Sequence, residues 1–130
     1  MFGFHPANLA FRFILELGAF VALAIGGYAI GSGAFAWILA IGLPLVAMLA
    51  WGTFNVPGDR SRSGAAPVPV PGVVRLIVEL DIFGGAVLVS WFANPAFAVA
   101  LGAGVVVHYA LSIDRIRWLL ESGRPSPQGE

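Results

Sequence analysis

Six ionisable side chains interrupt the apolar runs of this 130-residue chain, and their spacing carries its chemistry. Arg12 and Glu16 are four residues apart, as are Arg75 and Glu79, so on a helix each pair shares one face. In each pair the Glu lies one turn further into the apolar run. Two readings follow: the pairs pin neighbouring helices in register, or their carboxylates line a polar pocket or ion path. Asp81 follows Glu79 by two residues and points roughly 200° away around a helix. That places polar groups on two faces of one segment, which implies that other helices enclose it. His108 stands in a stripe of small and polar residues, Ala100, Gly104, His108 and Ser112, the pattern of a helix-contact face. Asp81 and His108 form the candidate titrating or ligand-coordinating pair; the rival is a fixed hydrogen bond between two helices. Arg12, Arg75, Glu16, Glu79 and Asp81 together carry two positive and three negative charges. One protonated His108 or one protonated carboxyl would balance the remainder.

The elements that position these groups follow from composition. Hydrophobic residues make up 58% of the chain and charged residues 11%, with a mean hydropathy of +0.88. A soluble domain carries about 25% charge, so a soluble enzyme or a disordered chain is excluded. The net charge is zero, which offers nothing to a nucleic-acid backbone. With no Cys, disulfides and thiolate metal sites are excluded too. There is no His-Glu-x-x-His, no phosphate loop and no serine-nucleophile motif, so no metal, cofactor or catalytic residue is assigned.

A bilayer core of about 30 Å needs roughly 20 apolar residues in a helix, and four such runs are present: 9–30, 35–54, 73–92 and 97–113. The expected fold is all-α: one membrane domain over residues 1–130, a four-helix bundle of two tandem transmembrane hairpins. Gly31-Ser32-Gly33-Ala34 and Asn94-Pro95 make short turns. Residues 55–72 form a polar loop containing the stiff run Pro67-Val68-Pro69-Val70-Pro71, and residues 114–130 form a tail. The first run is too long for a signal peptide and contains Glu16.

The two hairpins resemble one another. Arg12-Phe13-Ile14-Leu15-Glu16-Leu17 matches Arg75-Leu76-Ile77-Val78-Glu79-Leu80 at four of six positions, at an offset of 63. At an offset of 62, Phe35, Ala36, Leu39, Gly42 and Leu49 match Phe97, Ala98, Leu101, Gly104 and Leu111. The chain reads as a duplicated hairpin with both copies in the same orientation. Gly18, Ala22 and Gly26 make a small-residue stripe for close helix packing, within the chain or in a homodimer. Pro44 removes a hydrogen bond within the second span and predicts a kink.

Asn8-Leu9-Ala10-Phe11-Arg12-Phe13-Ile14-Leu15-Glu16-Leu17 resembles the opening motif of the YrdB family of small bacterial membrane proteins. Trp51-Gly52-Thr53-Phe54-Asn55-Val56-Pro57 is similar to that family's signature at the end of its second span, and Glu79-Leu80 to the acidic position of its third. The resemblance covers about residues 8 to 115. It implies a four-helix integral protein of the bacterial inner membrane with no assigned activity, and it supplies no active site.

The function expected from these features is a non-enzymatic structural or interaction module, or a subunit of a membrane assembly. Its partners would be the lipid bilayer and a second copy or another membrane protein. A small transporter or proton-coupled carrier using the intramembrane carboxylates is the alternative, and an intramembrane enzyme ranks third. All seven arginines fall on one side of a four-span chain, so both termini and the middle loop are expected in the cytoplasm. Reporter fusions at residues 33 and 64 should therefore report opposite sides of the membrane; the same side for both would defeat the four-span topology.

Overall fold

Pro6 begins the first long helix of the computed structural model, which describes residues 2–59 and 66–121. A proline costs nothing there, because its missing N–H would have no intrahelical partner. The His5 side chain accepts from the Ala7 N–H beside it (3.1 Å). Helix α1 runs Pro6–Ile30 and α2 runs Gly33–Thr53. The turn between them closes at Gly33, whose φ of +56° suits a residue without a Cβ. Helix α3 runs Gly72–Trp91 and α4 runs Pro95–Leu111. Asn94 Oδ1 caps α4 by accepting from Phe97 N–H (3.1 Å), and Pro95 again takes the first helical position.

Each of the four apolar runs is thus helical, and the chain is mostly helix. By length and composition α1 and α2 can each cross a membrane. Helix α3 has 20 residues but carries Arg75, Glu79 and Asp81, and α4 has only 17. Residues 114–121 of the expected tail are not a plain tail. Ser112 breaks the helix, its hydroxyl donating to the His108 carbonyl (2.7 Å), and a fifth helix, α5 (Ile113–Glu121), leaves at 71°. Counted as one bent span, α4 and α5 make a third segment able to cross a membrane.

The proline-rich part of the middle loop is not only a spacer. Val68–Pro69 (β2) pairs in parallel with Phe54–Asn55 (β1), and Val70 N–H donates to the Asn55 carbonyl (3.0 Å). Arg60, Arg62 and Arg124, part of the one-sided arginine pattern, lie outside the described residues.

Helices α1 and α3 occupy the centre. Helix α1 packs on α2, α3 and α4, while α5 lies across α3; α2 rests mainly on α1. The core is built from Leu15, Ala19, Ala22, Leu23, Trp51, Phe83, Ala86 and Leu101. Small residues set the separations. A Cβ on Gly26 would come within 2.5 Å of the Val89 backbone on α3, and one on Gly104 within 2.8 Å of the Leu15 side chain. A Cβ on Gly18 would lie 3.4 Å from Leu101, and Ala22 is fully buried. The stripe Gly18, Ala22, Gly26 with Gly104 therefore makes contacts inside the chain. Helix α2 continues unbroken through Pro44.

Gly26→Ala should force α1 from α3 and lower stability by about 1–3 kcal/mol. Gly42→Ala, at a helical position with nothing within 4 Å of the added carbon, should be neutral or slightly stabilising. Thermal unfolding followed by circular dichroism in detergent checks both; equal effects would mean that the α1–α3 contact does not limit stability.

Candidate functional site

Glu79 is fully buried on α3, at the end of the molecule where α1 and α3 begin and α2 and α4 finish. Its Oε2 accepts from Arg12 Nη2 (2.7 Å), Arg75 Nε (2.8 Å) and Arg115 Nη2 (2.8 Å). Its Oε1 accepts from the Tyr109 hydroxyl (2.7 Å) and Arg115 Nη1 (3.0 Å). One carboxylate thus gathers donors from α1, α3, α4 and α5. Two further carboxylates complete the cluster. Arg12 Nε donates to Glu16 Oε1 (3.0 Å), and Arg115 Nη2 donates to Asp59 Oδ2 (2.7 Å). Among the described residues three guanidiniums therefore meet three carboxylates, and their formal charges sum to zero.

Trp51 closes the cluster from α2. Its carbonyl and that of Phe54 accept from Arg75 Nη1 (2.8 and 2.9 Å). Its ring lies 5.2 Å from the Arg75 guanidinium and 5.6 Å from that of Arg12, within cation–π range. Burial alone would lower the pKa of Arg115 on α5. Contact with Glu79 and Asp59 outweighs it and holds the guanidinium above its ordinary value.

The sequence pairs Arg12–Glu16 and Arg75–Glu79 meet here, but they are not equivalent. Glu79 has no exposure, whereas the Glu16 side chain retains 15% and pairs with Arg12 on its own helix. The difference comes from Arg115 and Tyr109, which have Thr53 and Ala47 at the corresponding places of the first hairpin.

A second polar chain adjoins the cluster. Asn8 Nδ2 donates to Ser112 Oγ (2.8 Å), and Asn8 Oδ1 lies 3.1 Å from His108 Nδ1. The Ser112 hydrogen is committed to the His108 carbonyl, so Oγ accepts and the Asn8 amide orientation is fixed. Asn8 Oδ1 can then only accept, which puts a hydrogen on His108 Nδ1. His108 Nε2 and Arg75 Nη2 are buried without a hydrogen-bond partner among the described residues.

Asp81 and His108 are not brought together. His108 is buried against Asn8, Phe11 and Tyr109. Asp81 is exposed and lines a groove between α2 and α3, so α3 is not enclosed on that side. The charge count changes with it. The third carboxylate of the cluster is Asp59 and the third cation is Arg115, so neither His108 nor a protonated carboxyl is needed to balance it. Among the described residues no group of three His, Cys, Asp or Glu could hold a metal ion. Arg115 was hidden in a segment read as a tail. The signal that could have found it is the apolar spacing of Ile113, Ile116, Leu119 and Leu120, which marks an amphipathic helix.

Residues 10–107 match a family described as a protein of unknown function, DUF2568. The chain is similar to the "Uncharacterized protein YrdB" of Bacillus subtilis (strain 168), with 40% identity over 118 residues. That alignment covers 89% of this chain and 95% of the relative. No solved structure matches.

Glu79→Gln would leave three buried guanidiniums short of their shared counter-charge and should cost about 3–5 kcal/mol. Glu16→Gln, at the partly exposed edge, should cost less than about 1 kcal/mol. Unfolding of the two variants in detergent distinguishes them; equal losses would show that Glu79 is not the centre of the cluster.

Proposed function

Since the chain belongs to the DUF2568 family of proteins of unknown function, we propose that it is a small multi-pass protein of the bacterial inner membrane, acting as a non-enzymatic structural or interaction module. In this reading α1 to α4 are four spans forming two tandem hairpins, and the ends bearing the ion cluster face the cytoplasm. Helices α1 and α2, long and apolar enough to cross a membrane, support it, as does the lipid-compatible outer surface of Trp37, Ile41, Leu45, Val99 and Val106.

The observation that carries the reading is the saturation of Glu79. A carrier needs a carboxylate that exchanges partners with substrate or protons. Glu79 accepts five hydrogen bonds, has no exposed surface and belongs to a cluster whose charges balance among the described residues. Such a group holds helices together. It ties α1, α4 and α5 to α3, and through Arg75 it ties α3 to the end of α2. The segments that carry the family resemblance converge on it: Asn8 to Leu17 supplies Arg12 and Glu16, and Trp51 to Pro57 supplies the ring and carbonyls around Arg75.

The test is reconstitution. Membranes washed with alkaline carbonate should retain the protein. Liposomes containing it and a pH-sensitive dye should lose an imposed proton gradient no faster than empty liposomes. A protein-dependent proton flux abolished by Glu79→Gln would replace this reading with a proton-coupled carrier.

A further inference from the structure

The two hairpins pack their matching surfaces differently. At the offset of 63 residues Asp81 stands where the first hairpin has Gly18; at the offset of 62, Leu39 and Gly42 correspond to Leu101 and Gly104. Between α1 and α4 this surface is closed. A Cβ on Gly18 would touch Leu101, and one on Gly104 would press into Leu15. Between α3 and α2 the corresponding surface is open. Nothing lies within 4 Å of a Cβ on Gly42, and a groove of about 360 Å³ occupies the place.

Leu23, Leu39, Val46 and Ile82 are among the apolar walls of that groove, and Asp81 is its one charged residue. Asp81 makes no hydrogen bond or ion pair among the described residues. It lies nine residues into α3, about 13 Å along the helix from Gly72. The α2 residues opposite it belong to the middle of a helix long and apolar enough to cross a membrane. A carboxylate at that depth is costly to insert unless it is compensated, which calls for a partner. The acidic side chains of the ion cluster, Glu16, Asp59 and Glu79, each have one.

We propose that this groove is a binding site for a lipophilic monocation, entered from the lipid, with Asp81 as counter-charge. The walls match an apolar body, the carboxylate matches a single positive charge, and the volume lies in the range of small-molecule sites. The inference rests on the reading of the chain as membrane-spanning.

Radiolabelled tetraphenylphosphonium, titrated onto the full chain in phosphatidylcholine nanodiscs, tests it. Binding above that of empty discs should saturate at one per chain. Unlabelled tetraphenylphosphonium should compete, and tetraphenylborate, of the same shape and opposite charge, should not. Asp81→Asn should weaken binding at least tenfold, and Asp81→Glu should stay within about threefold. Gly42→Leu, which fills the groove without touching the carboxylate, should also weaken binding at least tenfold and decides the matter if Asp81→Asn does not fold. Absence of saturable binding, or equal affinity in the folded Asp81→Asn and Gly42→Leu variants, overturns the proposal. So does disulfide trapping of two copies through Gly42→Cys, which would make the groove a self-association face. Extraction of the protein by alkaline carbonate would instead defeat the membrane-spanning reading, whereas an integral protein that does not bind the cation defeats this inference alone.

Discussion

A single carboxylate buried among apolar helices must be neutralised where it stands, and the arrangement around Glu79 answers that requirement. In a low-dielectric interior an isolated charge costs several kcal/mol, and one counter-ion seldom repays the desolvation of both. Glu79 draws on three guanidiniums and a phenol, and each guanidinium in turn has another acceptor: Glu16 for Arg12, backbone carbonyls for Arg75 and Asp59 for Arg115. The geometry of the end of the molecule follows from this. Helix α5 turns by 71° so that Arg115 can reach inward, and Trp51 seals the arginines from the α2 side.

The resemblance between the two halves of the sequence breaks down where it matters most. Two equivalent Arg-x-x-x-Glu pairs could have produced a symmetric centre. Instead, Tyr109 and Arg115 come from the second hairpin and its extension, and they make Glu79 the hub and Glu16 a peripheral acid. The departures run in the same direction on the other face of α3, where Asp81 replaces the glycine that lets α1 and α4 touch.

Much of this was legible in the residues. Apolar run lengths located the helices, turn residues located their ends, and the four-residue spacing located both halves of the charged pairs. What was not legible depended on direction around a helix axis and on segments without strong periodicity. Asp81 and His108 share a similar depth, but depth alone does not make a contact: Asp81 points from α3 toward α2, while His108 turns toward Asn8 on α1. Asp59 sits in a loop whose composition signals only solvent exposure, and nothing local reveals that it reaches Arg115 across 56 residues. The nine residues of α5 do carry an amphipathic spacing, but that pattern does not say which way Arg115 turns.

The position of Arg115 along the chain also bears on biosynthesis. Chains fold largely from the amino terminus as they emerge. When α3 first meets its neighbours, Arg12 and Arg75 are available to Glu79, but Arg115, 36 residues beyond Glu79 in the chain, has not yet been made. The growing chain must therefore hold α3 in place with an incompletely compensated acid. Helix α5, made after the four longer helices, closes the ion cluster, and the same step places the Leu119 backbone against Gly72 at the start of α3. The electrostatic core is thus completed only after all four longer helices have been made, and a chain interrupted before α5 is marked by an uncovered acidic centre.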